Sequence, residues 1–561
     1  MTFKLPKLLE NGGSWLEKQQ NSILSAATII TVSTAISTIS GLLVTRILIA
    51  TFFDTQAGRE ALDAFWLAFQ IPDMMFQLII LGALSAAFIP IFTSYKNKDQ
   101  AKAFEMSSIM MNILLLVFLL VGVLIFIFAG TLTHLRTGAN ITPEQIRIII
   151  NLTRLMIFAQ FFFAISNFMT GILQSFQRFI VPAVAPIFYN LGIIAGVLLF
   201  ADRFGVYGAA LGVLLGAFLH MIIQLPLVFK LGFKYKFSFN LKFDGVAEFF
   251  YLMPPRVFAI GAGEIRKLLL GFFATSLGNL SFTLMQLTLS LMAIPIRFFG
   301  VPIGQASLPF LAEQAKKDRV KFVSLIIQSL NQITFLTLPA SVLLLILRVP
   351  VVRFAFGTYN FPWTATVLTG KLVAIVSVSI AAQALVHLLN RAFYALKDTR
   401  TPLLIAIFDV FLYLLISYLL VFVWKFGVLG IAVATSATAL IELFLFLLFL
   451  QLKLKNFISE KLVIPQLKML TAGFLMGVFL YLPFKLLDEL IFNTSKTIEL
   501  LGLSVVTGTV GFLVYIYFAL LFNIHELKLL LRLVNNFKPW QKTLSQTQEV
   551  VLETAVEAEE L

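Results

Sequence analysis

The chain has 561 residues, 59% hydrophobic and only 12% charged, with a mean hydropathy of +0.94. Soluble domains carry about 25% charged residues, so that class is excluded. The formal charge of +14 does not point to nucleic acid, because Lys and Arg sit in short loops between apolar runs, an arrangement that orients membrane proteins.

There is no Cys, so disulfides are excluded and the redox compartment cannot be read. The first apolar run is too long for the core of a cleavable signal peptide, and no such peptide is expected. Apolar runs long enough to cross ~30 Å of hydrocarbon predict fourteen helices. They fall at 27–52, 65–94, 106–130, 148–172, 182–201, 206–229, 247–274, 281–311, 322–347, 365–394, 402–424, 427–451, 465–487 and 499–522. Open strands would leave backbone groups unpaired in lipid, and barrel strands give short alternating runs. The expected fold class is therefore an all-α integral membrane protein.

With basic residues at span ends counted with the adjoining loops, 26 Lys and Arg fall on the N-terminal side and 9 on the other, leaving 7 within spans. That bias predicts both termini in the cytoplasm and an even helix count.

Proline and glycine punctuation repeats along the chain. Pro182 and Pro402 open the fifth and eleventh spans, and Gly205 and Gly427 open the sixth and twelfth. Pro72 and Pro90 in the second span echo Pro295 and Pro309 in the eighth. The offsets are 219 to 223 residues, an even number of helices, which implies two parallel repeats about an axis along the membrane normal. The expected organisation is a cytoplasmic segment 1–26, an N-lobe 27–230, a cytoplasmic linker 231–246, a C-lobe 247–452, two further helices within 465–522, and a polar cytoplasmic tail 523–561. Two such lobes enclose a central cavity.

Ionisable residues inside a membrane are functional candidates. Arg46, Arg154, Arg256, Arg266, Lys267, Arg297 and Lys371 lie within spans. Arg46, Arg154 and Lys371 lie near outer span ends and Arg256 near an inner one, where snorkelling is the simpler expectation. Arg266, Lys267 and Arg297 lie deeper. Glu264 precedes Lys267 by three residues and is expected to neutralise it. Arg266 has no evident partner unless the bundle supplies Asp409 or Glu442. Arg297 follows Pro295 in a helix with further Gly and Pro, and broken helices of that kind line cavities. Asp63 is expected to cap the second span or to gate the outer cavity. His220 and His387 read as hydrogen-bonded bundle residues, and no metal site or cofactor is expected. No nucleotide-binding or hydrolase motif is present.

Several segments resemble the MviN/MurJ family of lipid II flippases, within the multidrug/oligosaccharidyl-lipid/polysaccharide exporter superfamily. They are DAFWLAFQIPD (63–73), GALSAAFIPIFTSYK (82–96), PAVAPIFYNLGII (182–194), GVPIGQASLPFL (300–311) and FYALKDTRTPLLIAI (393–407). The resemblance implies two six-helix lobes plus two C-terminal helices in a bacterial inner membrane. It also implies movement of a lipid-linked peptidoglycan precursor from the inner to the outer leaflet by alternating access. The partners it implies are that lipid-linked oligosaccharide and membrane lipids, with a coupling ion as an option, acting on a monomer. Where the family usually carries charge in spans one, two and eight, this chain has Thr38, Val44, Thr45, Phe76, Gln77, Ser290 and Ala293, while Asp63 matches. On this reading Arg266, Arg297, Lys267, Arg256 and Arg46 are the candidate substrate-binding cations, and a groove beside the last two helices holds the lipid tail. The alternatives are export of another lipid-linked glycan, an ion-coupled drug antiporter, and a non-transporting scaffold. The antiporter would want buried acids in the cavity, whereas the deep charges here lean basic.

Overall fold

The computed structural model describes residues 23–81, 88–243, 245–246, 254–278, 280–455, 457–490 and 497–528. The expectations for the first 22 residues and for the tail beyond residue 528 lie outside the described residues. Among those described, the chain is helical throughout, as lipid requires of a backbone that must satisfy its own hydrogen bonds.

The helices in chain order are α1 (Ile23–Phe52), α2 (Gln56–Phe76), α3 (Ile89–Lys98), α4 (Gln100–Arg136), α5 (Pro143–Ser175), α6 (Ile180–Phe204), α7 (Val206–Ile222) and α8 (Leu225–Lys230). There follow α9 (Pro254–Leu277), α10 (Ser281–Pro295), α11 (Val301–Lys317), α12 (Arg319–Ile346), α13 (Arg348–Phe356), α14 (Trp363–Ser377) and α15 (Ile380–Ala395). The last four are α16 (Arg400–Tyr418), α17 (Val428–Leu454), α18 (Glu460–Leu490) and α19 (Thr497–Leu521). Short π-helical turns follow α2, α10 and α16, at Gln77–Leu81, Ile296–Gly300 and Leu419–Val423.

Among the described residues, eleven helical segments are long and apolar enough to cross a membrane. The bent pair α14 and α15, which meet at 44°, makes a twelfth. The two expected spans not among them are the second and the seventh. Residues 82–87 of the second lie outside the described residues. The seventh is represented by α9, which carries Arg256, Glu264, Arg266 and Lys267 within 24 residues. These polar spans are the pair that meets at the site described below.

The repeat is written in local geometry as well as in sequence. Asp99 caps α4 by accepting from the Ala101 and Lys102 N–H groups, with φ −154° and ψ 105°. Asp318, 219 residues on, caps α12 by accepting from Val320 and Lys321, with φ −151° and ψ 103°. The Lys321 N–H above all holds the Asp318 carboxyl below its ordinary range. Gln177 and Lys397 take left-handed φ values of 57° and 59° in matching turns before α6 and α16. Gly205 and Gly427 do so at 54° and 61° before α7 and α17, where a side chain would be strained. The π turns at Gln77 and Ile296 are also 219 residues apart. In that register Pro72 and Pro295 are offset by four residues. They share a helix face one turn apart rather than a common position.

The chain forms two compact units. One comprises Met1–Ile294, Arg348–Ser379 and Lys397–Phe446. The other comprises Pro295–Leu347, Ile380–Leu396 and Leu447–Leu561. In the first unit α6 and α7 pack through glycine, and a Cβ at Gly196 would lie 2.1 Å from the Gly212 Cα. Only glycine permits this approach, which substitutes van der Waals contact for the hydrophobic drive that lipid removes. In the second unit α18 and α19 pack on each other and on α12, where Gln466 donates to Asn331.

Candidate functional site

The polar residues of α2 and α9 converge around Gln70, Asp73, Glu264 and Lys267. Gln70 donates its side-chain amide to the Lys267 carbonyl at 2.9 Å. The Lys267 ammonium lies 2.7 Å from Glu264 Oε1 on its own helix and 3.7 Å from Asp73 Oδ2 on α2. Glu264 is buried while the Lys267 side chain is 54% exposed. The expected Glu264–Lys267 pairing is therefore present, and Asp73 joins it from the first repeat. Two acids and one base leave this triad without net positive charge in the observed state.

Arg266 points elsewhere. Its guanidinium donates to Asp409 Oδ2 at 2.9 Å on α16, and to the Thr435 carbonyl and Thr438 hydroxyl on α17 at 3.2 and 3.0 Å. It also lies over the Tyr413 ring, 5.0 Å from the centroid. Of the two partners that the sequence left open for Arg266, Asp409 and Glu442, α16 supplies Asp409, and a charge in hydrocarbon is stable only where it meets one of opposite sign.

Arg297 is exposed and makes no ion pair or hydrogen bond among the described residues. It belongs to the second unit and sits on the π turn after Pro295, where the Val301 N–H closes a wide turn on the Ile296 carbonyl. That turn is pressed against α15: a Cβ at Gly300 would lie 2.7 Å from that of Ala384. A π turn rotates the residues that follow it, and such turns often mark functional sites. Within the span Ser281–Leu308, Arg297 lies well inside both ends.

The remaining sequence candidates join helix ends. Arg46 donates to the Phe354 carbonyl at 2.7 Å, and Asn360 to the Ala50 carbonyl at the same distance, tying α1 to the end of α13 and to the loop 357–362. Asp63 is buried in α2 and accepts from both the N–H and the hydroxyl of Thr283, each at 2.7 Å. Thr283 is the third residue of α10, so Asp63 satisfies the exposed first-turn N–H of another helix. The helix that contains Asp63 starts earlier than expected and is capped by Thr55. Asp63 and Thr283 are 220 residues apart, within the range of the Pro and Gly offsets. The Arg256 side chain lies outside the described residues.

Residues that the sequence did not single out complete this layer of contacts. Buried Arg136, at the end of α4, donates to the Leu67 carbonyl and to Gln70 Oε1. The Gly138 N–H donates to the Thr275 hydroxyl, and Asn140 donates to the Ser276 carbonyl, closing the last turn of α9. The one available signal was Gln70 in the DAFWLAFQIPD segment. His220 does find a partner, Ser166 at 2.7 Å.

In the second unit a groove of about 330 Å³ lies between α18 and α19, lined by Phe479, Val510, Leu513, Val514, Tyr517 and Phe518. It is almost wholly apolar. Among the described residues no group of three or more His, Asp or Glu is placed to hold a metal ion.

The profile of the lipid II flippase MurJ family matches residues 49–501. This chain belongs to the MurJ lipid II flippase family. The family match takes in both repeats, the Asp63–Thr283 contact and the start of α19. Among named relatives, the probable lipid II flippase MurJ of Bdellovibrio bacteriovorus is 24% identical over 91% of this chain and 97% of its own. That of Thermotoga maritima is 27% identical over 89% and 96%. The fold matches a solved lipid II flippase MurJ in an inward closed conformation, with a TM-score of 0.71 and 21% identity over 88% of this chain. It also matches an inward-facing multidrug resistance transporter of the MATE family, with a TM-score of 0.60 and 15% identity over 75% of this chain.

Proposed function

We propose that this MurJ family member translocates lipid II, the undecaprenyl-pyrophosphate-linked peptidoglycan precursor, from the inner to the outer leaflet of the bacterial cytoplasmic membrane. The observation that carries this reading is the family match over residues 49–501, which spans both repeats. The site geometry supports an alternating-access mechanism. First-repeat helices α1, α2 and α4 are joined to second-repeat residues at their outer ends through Arg46, Asp63, Gln70, Gly138 and Asn140. The outer side is closed by many small bonds rather than one large one, so it can part and re-form.

Three elements have distinct parts in this cycle. Arg297 is a cation with no ion pair among the described residues, and it contacts the pyrophosphate, whose charge needs a partner once it leaves water. Lys267 is held by Asp73 while the outer end is closed and is released when α2 moves away. The apolar groove between α18 and α19 takes part of the lipid tail. The chain acts as a monomer with both termini in the cytoplasm, and as a transporter rather than an enzyme. The driving force is an ion gradient, the membrane potential, or removal of product at the outer face. A net charge moved through the field is worth ~2.3 kcal/mol per 100 mV.

The test is reconstitution into vesicles loaded on the inner face with fluorescent lipid II, with a glycan-polymerising enzyme added outside. Protein-dependent polymerisation supports the reading. A rate equal to that of protein-free vesicles, with insertion verified, contradicts it.

A further inference from the structure

The segment that joins the two repeats carries a pattern that the transport reading does not use. Residues 230–243 read KLGFKYKFSFNLKF, with Phe, Tyr or Leu at each odd position from 233 to 243 and Lys, Ser or Asn at each even one. The described backbone over 234–240 is irregular, with no helix. A period of two puts apolar and polar side chains on opposite sides of an extended chain.

The segment is fixed in place. The chain turns at Gly232, whose φ is +90°, and buries Phe233 against Phe104 at 5.6 Å between ring centroids. Asn112 on α4 then donates to the carbonyls of Lys236 and Ser238 and accepts from the Tyr235 hydroxyl. Ser108 accepts from the Lys236 N–H, and Glu105 pairs with its ammonium at 2.9 Å. At the far end Phe243 packs on Tyr95.

What this clamp holds outward is apolar. Phe237 is 79% exposed and Leu241 62%, with Tyr235 and Phe239 also exposed, and the Phe237 and Phe239 rings pack edge to face. The exposed lysines Lys234 and Lys242 have no acidic partner among the described residues, and no acid occurs between 230 and 243. The location decides what covers this face. The membrane-crossing segment Val206–Lys230 ends where the pattern begins. The 37 residues of α4 extend to about 55 Å, well beyond a hydrocarbon core of ~30 Å, so its first dozen residues run through the interface. A segment clipped to residues 105–112 lies at that depth.

We infer that residues 230–243 form an interfacial binding strip for anionic phospholipids. Phe237, Phe239 and Leu241 enter the leaflet, and Lys234 and Lys242 contact lipid phosphates. Aromatic rings and basic side chains partition to this zone for separate reasons, and here one clamped strand presents both. The inference does not depend on the transported substrate.

The absence of Cys makes a direct test available. Phe237→Cys and Phe239→Cys are each labelled with a nitroxide in the full chain. Collision rates with oxygen and with a water-soluble nickel chelate are then measured in phosphatidylcholine vesicles with and without phosphatidylglycerol. The expected result is a preference for oxygen at both sites, and a several-fold fall in nickel accessibility when phosphatidylglycerol is present. In a Lys234→Gln/Lys242→Gln background the oxygen preference should remain and the phosphatidylglycerol response should vanish. Full nickel access at both sites would overturn the inference. So would a phosphatidylglycerol response that survives loss of the lysines, or spin–spin broadening that shows a second copy covering the strip.

Discussion

Arg266 gives its charge to Asp409, and that bond fixes what its removal should do. Asp409 is buried, so truncating Arg266 leaves a carboxylate without its cation. We expect Arg266→Ala to lower stability by about 3 kcal/mol, and Arg266→Met with Asp409→Leu to recover most of that loss, as read by thermal unfolding in detergent. Equal stability of the single variant and the wild type would refute the pairing. Arg297 should behave in the opposite way. With no partner to orphan, Arg297→Ala should keep the wild-type melting temperature while transport falls at least tenfold; unchanged transport would remove it from the mechanism. The sequence placed both arginines inside spans but could not tell them apart. Asp409 is 143 residues from Arg266, and only the packing of α9 on α16 brings them within 2.9 Å. Lys267 was legible because its partner Glu264 is one helical turn away on the same face.

At the scale of elements, the proposed closure of the outer ends rests on short backbone contacts. Gly138 lies so near the last turn of α9 that a Cβ there would sit 2.5 Å from the Ser276 Cα and N. Gly138→Ala should therefore loosen the outer layer. In this Cys-free background, a single cysteine at Gln70 should then react several-fold faster with a membrane-impermeant maleimide. No change in rate would place the barrier elsewhere. The caps show what sequence could and could not give here. Asp99 and Asp318 cap the helices that directly follow them, as local spacing implies. Asp63 caps a helix 220 residues away, a bond with no local signature. The repeat itself was visible in Pro and Gly spacing, because turns need those residues at fixed places, and the paired left-handed turns at Gln177 and Lys397 bear it out.

At the scale of the whole molecule, the fold class follows from the length of the apolar runs, and eleven or twelve of the fourteen expected spans are found among the described residues. The second and seventh expected spans carry the Asp73–Lys267–Glu264 triad. The groove between α18 and α19 is apolar, as a lipid tail would require. Leu513→Asp should slow transport of the full-length lipid substrate more than that of a short-chain analogue, and equal effects on both would exclude the groove. The family's usual charged positions in spans one, two and eight are mostly uncharged here, which makes function in a living cell the decisive question. The measurement is complementation of a bacterium depleted of its own lipid II flippase by the wild-type chain, with membrane insertion verified. The account expects restored growth and cell-wall synthesis, lost again with Arg297→Ala. Lysis despite full insertion of the wild-type chain would contradict it.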